Sequence, residues 1–228
     1  MSDYDAFAAE YAAHAAVSIY NAGYERPAMQ ALFGDLRGLR VLDAGCAAGE
    51  HSAHLLQCGA EVIAIDRSAA MIAMVRARFG DRIQTHCADL EQPLPFLEDG
   101  SVDLVFSSLT LHYLQEWGGV LAEFRRVVRP GGRLLFSTHH PAMTAPLVSN
   151  YFATQLVIDR WKIGARDVEV TFYHRPLQTI IDALIIAGFS LRSLIEPRLT
   201  ARPPLASNAD FERLAHNPWF LIIDALSF

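Results

Sequence analysis

The sequence predicts an α/β fold in which helices cover both faces of a mostly parallel β-sheet. Short runs of apolar and β-branched residues alternate along the chain with longer segments of helical periodicity. The runs are almost continuously apolar, which is typical of strands buried on both faces. Repetition of strand, helix and strand favours a parallel, doubly wound sheet. We predict seven strands, at residues 39–43, 60–66, 82–87, 102–106, 133–137, 189–195 and 219–228.

Three stretches between these strands carry apolar residues at i, i+3, i+4 and i+7 spacing, which predicts amphipathic helices. The first follows Ser68, a residue type that is suited to a helix N-cap. The second covers residues 117–128 and is expected to stop at the Pro-Gly-Gly of residues 130–132. The third begins after Pro176, and Ile185 is expected on its apolar face.

Two segments do not fit the alternation of strands and helices. Residues 3–30 read as a leading amphipathic helix whose apolar side includes Tyr4 and Phe7. Residues 141–175 contain two β-prone stretches, at 153–161 and 168–174, which could pair as a ribbon. Ligands of parallel sheets bind at the carboxyl ends of the strands. Both segments are therefore candidates for a lid.

Composition and charge restrict the class of protein. Hydrophobic residues make up 52% of the 228 residues and charged residues 19%, which excludes a mainly disordered chain. No apolar run is long enough to span a membrane. The net charge of −6 argues against a phosphate backbone as the main partner. An acidic start without a signal-peptide pattern and an odd number of cysteines, three, lead us to expect a reduced, cytoplasmic protein.

The sharpest local signal is the small-residue turn that follows the first strand. The strand ends in Asp43, and Gly45 to Gly49 form a tight turn before a helix. Small residues allow the backbone to approach a ligand closely, and a helix start offers free N–H groups. Asp66 ends the second strand, 21 residues after Gly45, where a carboxylate can accept hydrogen bonds from both ribose hydroxyls. The alternative is a turn whose small residues serve packing alone.

The residues of the turn disfavour a ligand with linked phosphates. A dinucleotide-binding pattern requires glycine at positions 45, 47 and 50, where this chain has Gly45, Ala47 and Glu50. The carboxylate of Glu50 would repel a pyrophosphate at the helix start. A Walker loop is excluded because no Gly-Lys-Ser/Thr follows. A nucleoside ligand without phosphates remains, and S-adenosylmethionine satisfies that description.

The chain resembles the class I S-adenosylmethionine-dependent methyltransferases, most closely the small-molecule enzymes with a type-11, UbiE-like domain. The resemblance is strong over residues 35–140 and loose elsewhere. Ala47 departs from it, since the family has its second glycine there, and the added methyl narrows the space beside the methionine part. Five segments carry the resemblance in the family's order: residues 43–49, 66–71, 87–96, 101–112 and 123–132.

This resemblance implies a Rossmann-like, seven-stranded, doubly wound sheet, mostly parallel with the last strand antiparallel, with an N-terminal helical lid and an insertion after strand five. It implies a single methyltransferase domain over residues 1–228. Its parts are lid helices at 1–34, a cofactor-binding core at 35–140, a substrate-covering insertion at 141–175 and a C-terminal helix and strands at 176–228.

The resemblance also implies roles for single residues of the cofactor site. Gly45, Ala47 and Gly49 would shape the wall at the methionine part, and Ser107 would offer its backbone carbonyl to the methionine ammonium. Asp43, which opens the same motif, would also be a cofactor-binding residue. Asp66 would hold the ribose diol. At the adenine, Arg67 or Met71 would lie along the face, Asp89 would accept from the amino group and Leu90 would pack on the ring. Core packing for Met71 and a turn cap for Asp89 are the alternatives.

The methyl group of a sulfonium is already activated, so catalysis would come mostly from positioning the acceptor in line. A base helps if the acceptor must lose a proton. His112 and His139 follow strands four and five and are candidates for that role, with solvated loop histidines as the alternative. Tyr11 and Tyr20 are candidates for closing over the cofactor. No metal site is expected, because the histidines lack the spacing of a ligand set.

The acceptor is expected to be a small molecule of apolar character. After strand four the chain reads Ser-Ser-Leu-Thr and lacks the Asp/Asn-Pro-Pro-Tyr of amino-methylating nucleic-acid enzymes, and it contains no Pro-Cys. A nucleic-acid acceptor is therefore disfavoured. Two other classes stay open: a nicotinamide-dependent oxidoreductase and a non-catalytic sensor of S-adenosylmethionine. The sequence does not determine the oligomeric state.

Overall fold

A computed structural model describes residues 8–164, 166–204 and 206–228. Within these residues, seven strands form one sheet in the order β3-β2-β1-β4-β5-β9-β8, and β6 and β7 form a separate pair. The strands are β1 (Arg40–Ala44), β2 (Glu61–Asp66), β3 (Gln84–Cys87), β4 (Val102–Ser107), β5 (Val128–His139), β6 (Gln155–Ile163), β7 (Arg166–His174), β8 (Phe189–Ile195) and β9 (Phe220–Ser227). The α-helices are α1 (Ala8–Val17), α2 (Arg26–Gln30), α3 (Glu50–Gln57), α4 (Ala69–Phe79), α5 (Gly118–Val127), α6 (Pro141–Thr144), α7 (Leu177–Ile186) and α8 (Asn208–His216).

The predicted sheet is confirmed. Strands β1 to β5 pair in parallel, while β9 is antiparallel to both β5 and β8, so that six strands run one way and β9 runs the other. Successive residues of β1 point to opposite faces: Val41 packs with α3 and α4, whereas Leu42 packs with α5 and α7. Helices therefore bury both faces, which explains why the strands read as continuous apolar runs.

The strand order places a crevice at one edge of the sheet. From β1 the chain proceeds outward to β2 and β3, and then returns to the other side of β1 to form β4 and β5. In a doubly wound sheet, this reversal opens a crevice at the carboxyl ends of the two central strands. Here those ends are Ala44 of β1 and Ser107 of β4, with Asp66 ending the neighbouring β2.

The leading segment is not the single helix that periodicity predicts. Helix α1 ends at Val17, and Ser18 has an extended ψ of 132°. A π-helical segment, Ile19–Glu25, and the short α2 follow it. Tyr4 and Phe7, predicted on the apolar side, lie outside the described residues. The break turns the chain so that it crosses the carboxyl edge of the sheet.

Two predictions in the second half of the chain need correction, and one helix there was not predicted. Helix α5 ends at Val127, but the Pro-Gly-Gly after it belongs to β5, whose pairing with β4 shifts register between Val102 and Leu104. Ile185 is 58% exposed, so it lies off the buried face of α7. Helix α8 was not predicted, although Ser207 caps it by accepting a hydrogen bond from the Asp210 amide at 3.1 Å.

The predicted ribbon is confirmed, because β6 and β7 pair antiparallel from Gln155 with His174 to Ile163 with Arg166. Its inner face carries Val157 and Phe172, which pack near Tyr113 beyond β4. The Arg166 guanidinium lies 2.8 Å from Glu10 Oε2, which ties the ribbon to α1. In the described parts of the chain, no helix combines the length and apolar character needed to cross a membrane.

Candidate cofactor and methyl-transfer site

A cavity of about 220 Å³ opens at the crevice between β1 and β4. One water needs about 10–15 Å³ of such volume, so the cavity has room for a ligand rather than a few waters. Its floor comes from the turn after β1, the end of β2 and the loop after β4, and its roof comes from α1, the π-helical segment and α2. Eight predicted cofactor residues line it: Asp43, Gly45, Ala47, Asp66, Arg67, Met71, Asp89 and Leu90.

The turn after β1 is held in a conformation that requires small residues. Gly45 has a φ of +82°, and a Cβ there would lie 2.2 Å from Thr110 Oγ1. The amides of Gly45 and Cys46 both donate to the Ile65 carbonyl, at 2.8 and 2.9 Å, which fixes the turn to β2. Gly49 lies behind the cavity wall, where a Cβ would meet Phe79 at 2.9 Å. Packing against Thr110 and Phe79 therefore requires glycine at both positions, and close approach of the backbone to a ligand stays a prediction.

Ala47, the departure from the family pattern, also has a positive φ, of +45°. This conformation is unfavourable for a residue with a Cβ, and alanine adds the smallest possible side chain there. The Ala47 amide donates to Asp66 Oδ2 at 2.9 Å. That hydrogen bond to a carboxylate helps to offset the backbone strain.

Asp66 is fixed at the end of β2 with its carboxylate in the cavity wall. Oδ2 accepts from Ala47, and Oδ1 accepts from the Ser68 amide at 2.9 Å. An ionised carboxylate offers about four acceptor positions, so the chemistry of Asp66 suits acceptance from ligand hydroxyls as well as from backbone amides. Ser68 also caps α4 as predicted, accepting from the Met71 amide at 3.1 Å.

Asp43 lies beneath the turn and is buried. Ser52 Oγ donates to its Oδ2 at 2.5 Å. Burial raises the pKa of Asp43 to about 6, and the neighbouring Asp66 and Glu25 also raise it. The hydrogen bond from Ser52 and the nearby His51 lower the pKa by a smaller amount. A carboxyl with such a pKa changes charge near neutral pH and responds strongly to a nearby positive ligand.

The far end of the cavity is lined by apolar side chains and one carboxylate. Met71 and Leu90 are buried in its wall, with Arg67 and Asp89 beside them. Asp89 Oδ1 accepts from the Glu91 amide at 3.0 Å, so Asp89 does cap a turn. Since it lines the cavity as well, the turn cap and the ligand role are compatible.

The roof contributes side chains that the sequence did not single out. Glu25 is 1% exposed, and its carboxylate accepts from Ser108 Oγ at 2.7 Å and Ser137 Oγ at 2.6 Å and lies 3.3 Å from His51 Nε2. Burial would raise the pKa of Glu25, but His51 and the two serines lower it on balance. These partners lie 26 to 112 residues from Glu25, so no local sequence pattern announces the cluster.

Arg26, beside Glu25, brings a cation to the cavity. Its Nη2 donates to the Ala15 carbonyl at 3.2 Å, and its buried Nε has no hydrogen-bond partner in the described residues. Tyr11, predicted to close over the ligand, lines the cavity as well. Tyr20 does not belong to this wall: its hydroxyl bonds with Asp210 and Arg213, and its ring packs on Trp219.

The two predicted catalytic histidines lie behind the wall. The rings of His112 and His139 stack with centroids 3.7 Å apart, and Phe172 of the ribbon packs on His139 at 4.5 Å. Burial lowers the pKa of His139 to about 3 and that of His112 well below its usual value, so both are neutral at pH 7. His112 contacts Tyr113, which lines the cavity, but among the described residues neither histidine does so itself.

Ser107 also lies behind the wall, and the cavity is lined by the next residue, Ser108. The Ser107 hydroxyl donates to the Ala44 carbonyl at 2.8 Å, which joins β4 to β1 at the edge of the crevice. Among the described residues, no group of three His, Cys, Asp or Glu side chains is placed to hold a metal ion.

Comparison with known proteins agrees with this geometry. A family model described as a methyltransferase domain matches residues 42–136. The structure of an S-adenosylmethionine-dependent methyltransferase from Mesorhizobium loti is 30% identical, with 89% of this chain and 97% of that chain covered and a TM-score of 0.70. The chain belongs to the class I S-adenosylmethionine-dependent methyltransferases, type-11 family.

This methyltransferase is also similar to two further proteins. A structure described as an S-adenosylmethionine-dependent methyltransferase from Listeria monocytogenes is 25% identical, with 90% and 96% of the chains covered and a TM-score of 0.77. The malonyl-[acyl-carrier protein] O-methyltransferase of Yersinia pestis is 43% identical over 104 residues. That match covers 44% of this chain and 37% of the Yersinia protein, so the chain spans less than half the length of this relative.

The cavity fits S-adenosylmethionine, the methyltransferase's cofactor. Five carboxylates and two guanidinium groups line it, namely Glu25, Asp43, Glu50, Asp66, Asp89, Arg26 and Arg67. This excess of negative charge suits a sulfonium and an ammonium and opposes a diphosphate. Glu50, in the first turn of α3, is paired with Arg78 at 2.5 Å. The alternative of a nicotinamide-dependent oxidoreductase therefore has no support.

Cofactor binding by the methyltransferase is expected to strengthen as pH rises from 5 to 7 and to level off above. In the free protein Asp43 titrates with a pKa of about 6, and a cationic ligand binds better to its carboxylate form. Below pH 6, binding must therefore release a proton, which weakens affinity by up to about tenfold per pH unit. Calorimetry at several pH values checks this, and the Asp43→Asn variant should show a flat profile. Identical profiles for the two proteins would contradict it.

Proposed function

We propose that the protein transfers the methyl group of S-adenosylmethionine to a small molecule that binds beneath the N-terminal helices. The observation that carries the proposal is the roofed cavity: cofactor-type residues line its floor, and α1, the π-helical segment and α2 cover it. The ion pair between Glu10 and Arg166 joins that roof to the ribbon. A covered site favours an acceptor small enough to be enclosed.

The cofactor is proposed to lie along the floor. Asp66 accepts hydrogen bonds from the ribose diol, and Met71, Leu90, Arg67 and Asp89 surround the adenine. Gly45, Ala47 and Gly49 shape the wall at the methionine part, with Asp43 and the strand end at Ser107 beside its ammonium. Arg26 supplies a cation for the methionine carboxylate. The support for this placement is that each group except Gly49 and Ser107 lines the cavity.

Methyl transfer in this site depends mainly on positioning. The bound cofactor supplies an activated methyl group, and the protein holds an acceptor atom in line with the carbon–sulfur bond. Such orientation contributes up to about 7–11 kcal/mol to lowering a barrier. Tyr11 in the roof and Tyr113 beyond β4 line the remaining cavity, where they exclude water and pack on the acceptor. Any catalytic role of His112 and His139 stays a prediction, because neither ring is among the described residues that line the cavity, and it is His112 that contacts Tyr113.

Charge and relatives support a small acceptor over a nucleic acid. The net charge is −6, and the cavity wall is mainly acidic, so a phosphate backbone would be repelled. The similarity to malonyl-[acyl-carrier protein] O-methyltransferases, over less than half of this chain, supports an organic acceptor.

The proposal is tested with methyl-labelled S-adenosylmethionine and two acceptor pools, a low-mass metabolite extract and total nucleic acid. Label is expected in the low-mass pool alone, and it should be lost when Tyr11 and Arg26 are both replaced by alanine. Label in nucleic acid would overturn the small-molecule assignment. Cofactor binding without transfer to either pool would instead favour a sensor.

A further inference from the structure

The ribbon of β6 and β7 has an outer face, opposite the inner face that packs on the rest of the protein. Side chains alternate between the two faces along each strand. Val157 on the inner face is 4% exposed, whereas its neighbours Leu156 and Ile158 on the outer face are 53% and 61% exposed. Leu147 and Phe152, in the segment that leads into β6, are exposed as well. Large apolar side chains exposed together in this way are typical of an interaction surface.

The outer face is divided along its length into an apolar half and a charged half. Residues that are directly opposite each other across the ribbon point to the same face. At the base of the ribbon, Leu156 lies opposite Tyr173 and Ile158 lies opposite Thr171. Towards the tip, exposed cations on β6 lie opposite exposed acids on β7, in the pairs Arg160–Glu169 and Lys162–Asp167. Each strand thus carries one sign of charge at the tip.

This distribution of charge makes the outer face complementary to itself. A rotation of 180° about an axis along the ribbon, midway between its strands, lays β6 of one copy over β7 of a second copy. Each cation then faces an acid of the other copy, and the apolar half faces the apolar half. The strands of the two ribbons stay aligned, as in packed sheets that lie about 10 Å apart. A partner of one sign, such as an anionic membrane, would instead be repelled by half of the charges.

We propose that the outer faces of two ribbons pack on each other and that the protein forms a two-fold symmetric homodimer. Such dimers use the same patch on both copies, which is what a self-complementary face provides. The apolar half supplies the attraction, and the charged half sets the register. Strands of nine residues span about 30 Å and a two-stranded face is about 10 Å wide, so the interface is small. The dimer is therefore expected to be weak, with a dissociation constant on the order of 10 µM.

The test reverses the charges on one strand of the ribbon at a time. Arg160→Glu with Lys162→Glu makes the charged half wholly acidic, and Asp167→Lys with Glu169→Lys makes it wholly basic. Sedimentation equilibrium between about 1 and 100 µM should show dimers of the wild-type protein at the upper end and monomers of either variant alone. An equimolar mixture of the two variants should form one-to-one complexes about as tightly as the wild type, because an acidic face then meets a basic one.

Arg37→Glu with Arg202→Glu is the matched control, since it reverses two exposed cations outside the ribbon and should leave association unchanged. Wild-type protein that stays monomeric at about 100 µM would overturn the proposal. So would variants that dimerise alone as well as the wild type, or that fail to associate when mixed. If monomeric wild type instead bound phosphatidylcholine vesicles, and Ile158→Asp abolished that binding, the outer face would contact lipid and the dimer would be wrong.

Discussion

Replacing Asp66 with alanine is expected to raise the dissociation constant for S-adenosylmethionine by about 10- to 100-fold, since hydrogen bonds to a charged group contribute about 1.5–3 kcal/mol. The carboxylate is proposed to bind the ribose diol, and it also holds the Ala47 and Ser68 amides at 2.9 Å. The substitution therefore removes ligand contacts and releases the turn that shapes the methionine end of the site. Isothermal calorimetry measures the affinity directly.

Glu61→Gln is the matched control for this variant. Glu61 is an exposed carboxylate at the opposite, amino end of the same strand. Its substitution removes one negative charge from β2 without touching the crevice, so we expect an affinity within about twofold of wild type. If Asp66→Ala bound the cofactor as tightly as Glu61→Gln, the ribose assignment would be wrong.

A second large effect is expected for Gly45→Ala, which should lower the free energy of unfolding by about 2–5 kcal/mol. Two costs add at this position. The φ of +82° is unfavourable for any residue with a Cβ, and the new methyl would lie 2.2 Å from Thr110 Oγ1 and 2.5 Å from its Cγ2. Relief of that overlap requires movement of the loop after β4, which lines the same cavity. Cofactor affinity is therefore expected to fall together with stability.

Gly34→Ala separates the two costs. Gly34 also has a positive φ, of +72°, but nothing lies within 4 Å of a Cβ placed there. Urea unfolding should show a loss of only about 1–2 kcal/mol for Gly34→Ala, the cost of the backbone conformation alone. Adding Thr110→Ala to Gly45→Ala should recover part of the difference. Equal losses for Gly45→Ala and Gly34→Ala would show that contact with Thr110 does not matter.

The part of the site that the sequence predicted is the part that lies within short stretches of chain. Gly45, Ala47 and Asp66 could be recognised because a buried strand, a turn of small residues and a second buried strand follow one another directly. The same holds for the Ser68 cap, where donor and acceptor are three residues apart. Such local arrangements leave a periodicity or a residue type that can be read without knowing the fold.

The roof of the cavity and the buried contact between Glu25 and His51 could not be predicted in that way. Glu25 lies in the segment predicted as a leading amphipathic helix and is not among the residues that the sequence singles out, yet it is 1% exposed. His112 and His139 have the expected position along the chain, but both rings face the ribbon rather than the cavity. Strand ends indicate which edge of the sheet a residue reaches, and they do not indicate which way its side chain points.

The sequence by itself determined the sheet, the crevice and the cofactor, because alternating strands and helices, a small-residue turn and an acidic strand end are each encoded within a few consecutive residues. The tertiary structure alone decided which side chains meet across the crevice. The carboxylate of Glu25 is brought to Ser108, Ser137 and His51 by the break at Ser18 and by the packing of the N-terminal helices over the sheet edge. Contacts between residues so far apart in the chain depend on the path of the whole backbone, and no local pattern specifies them.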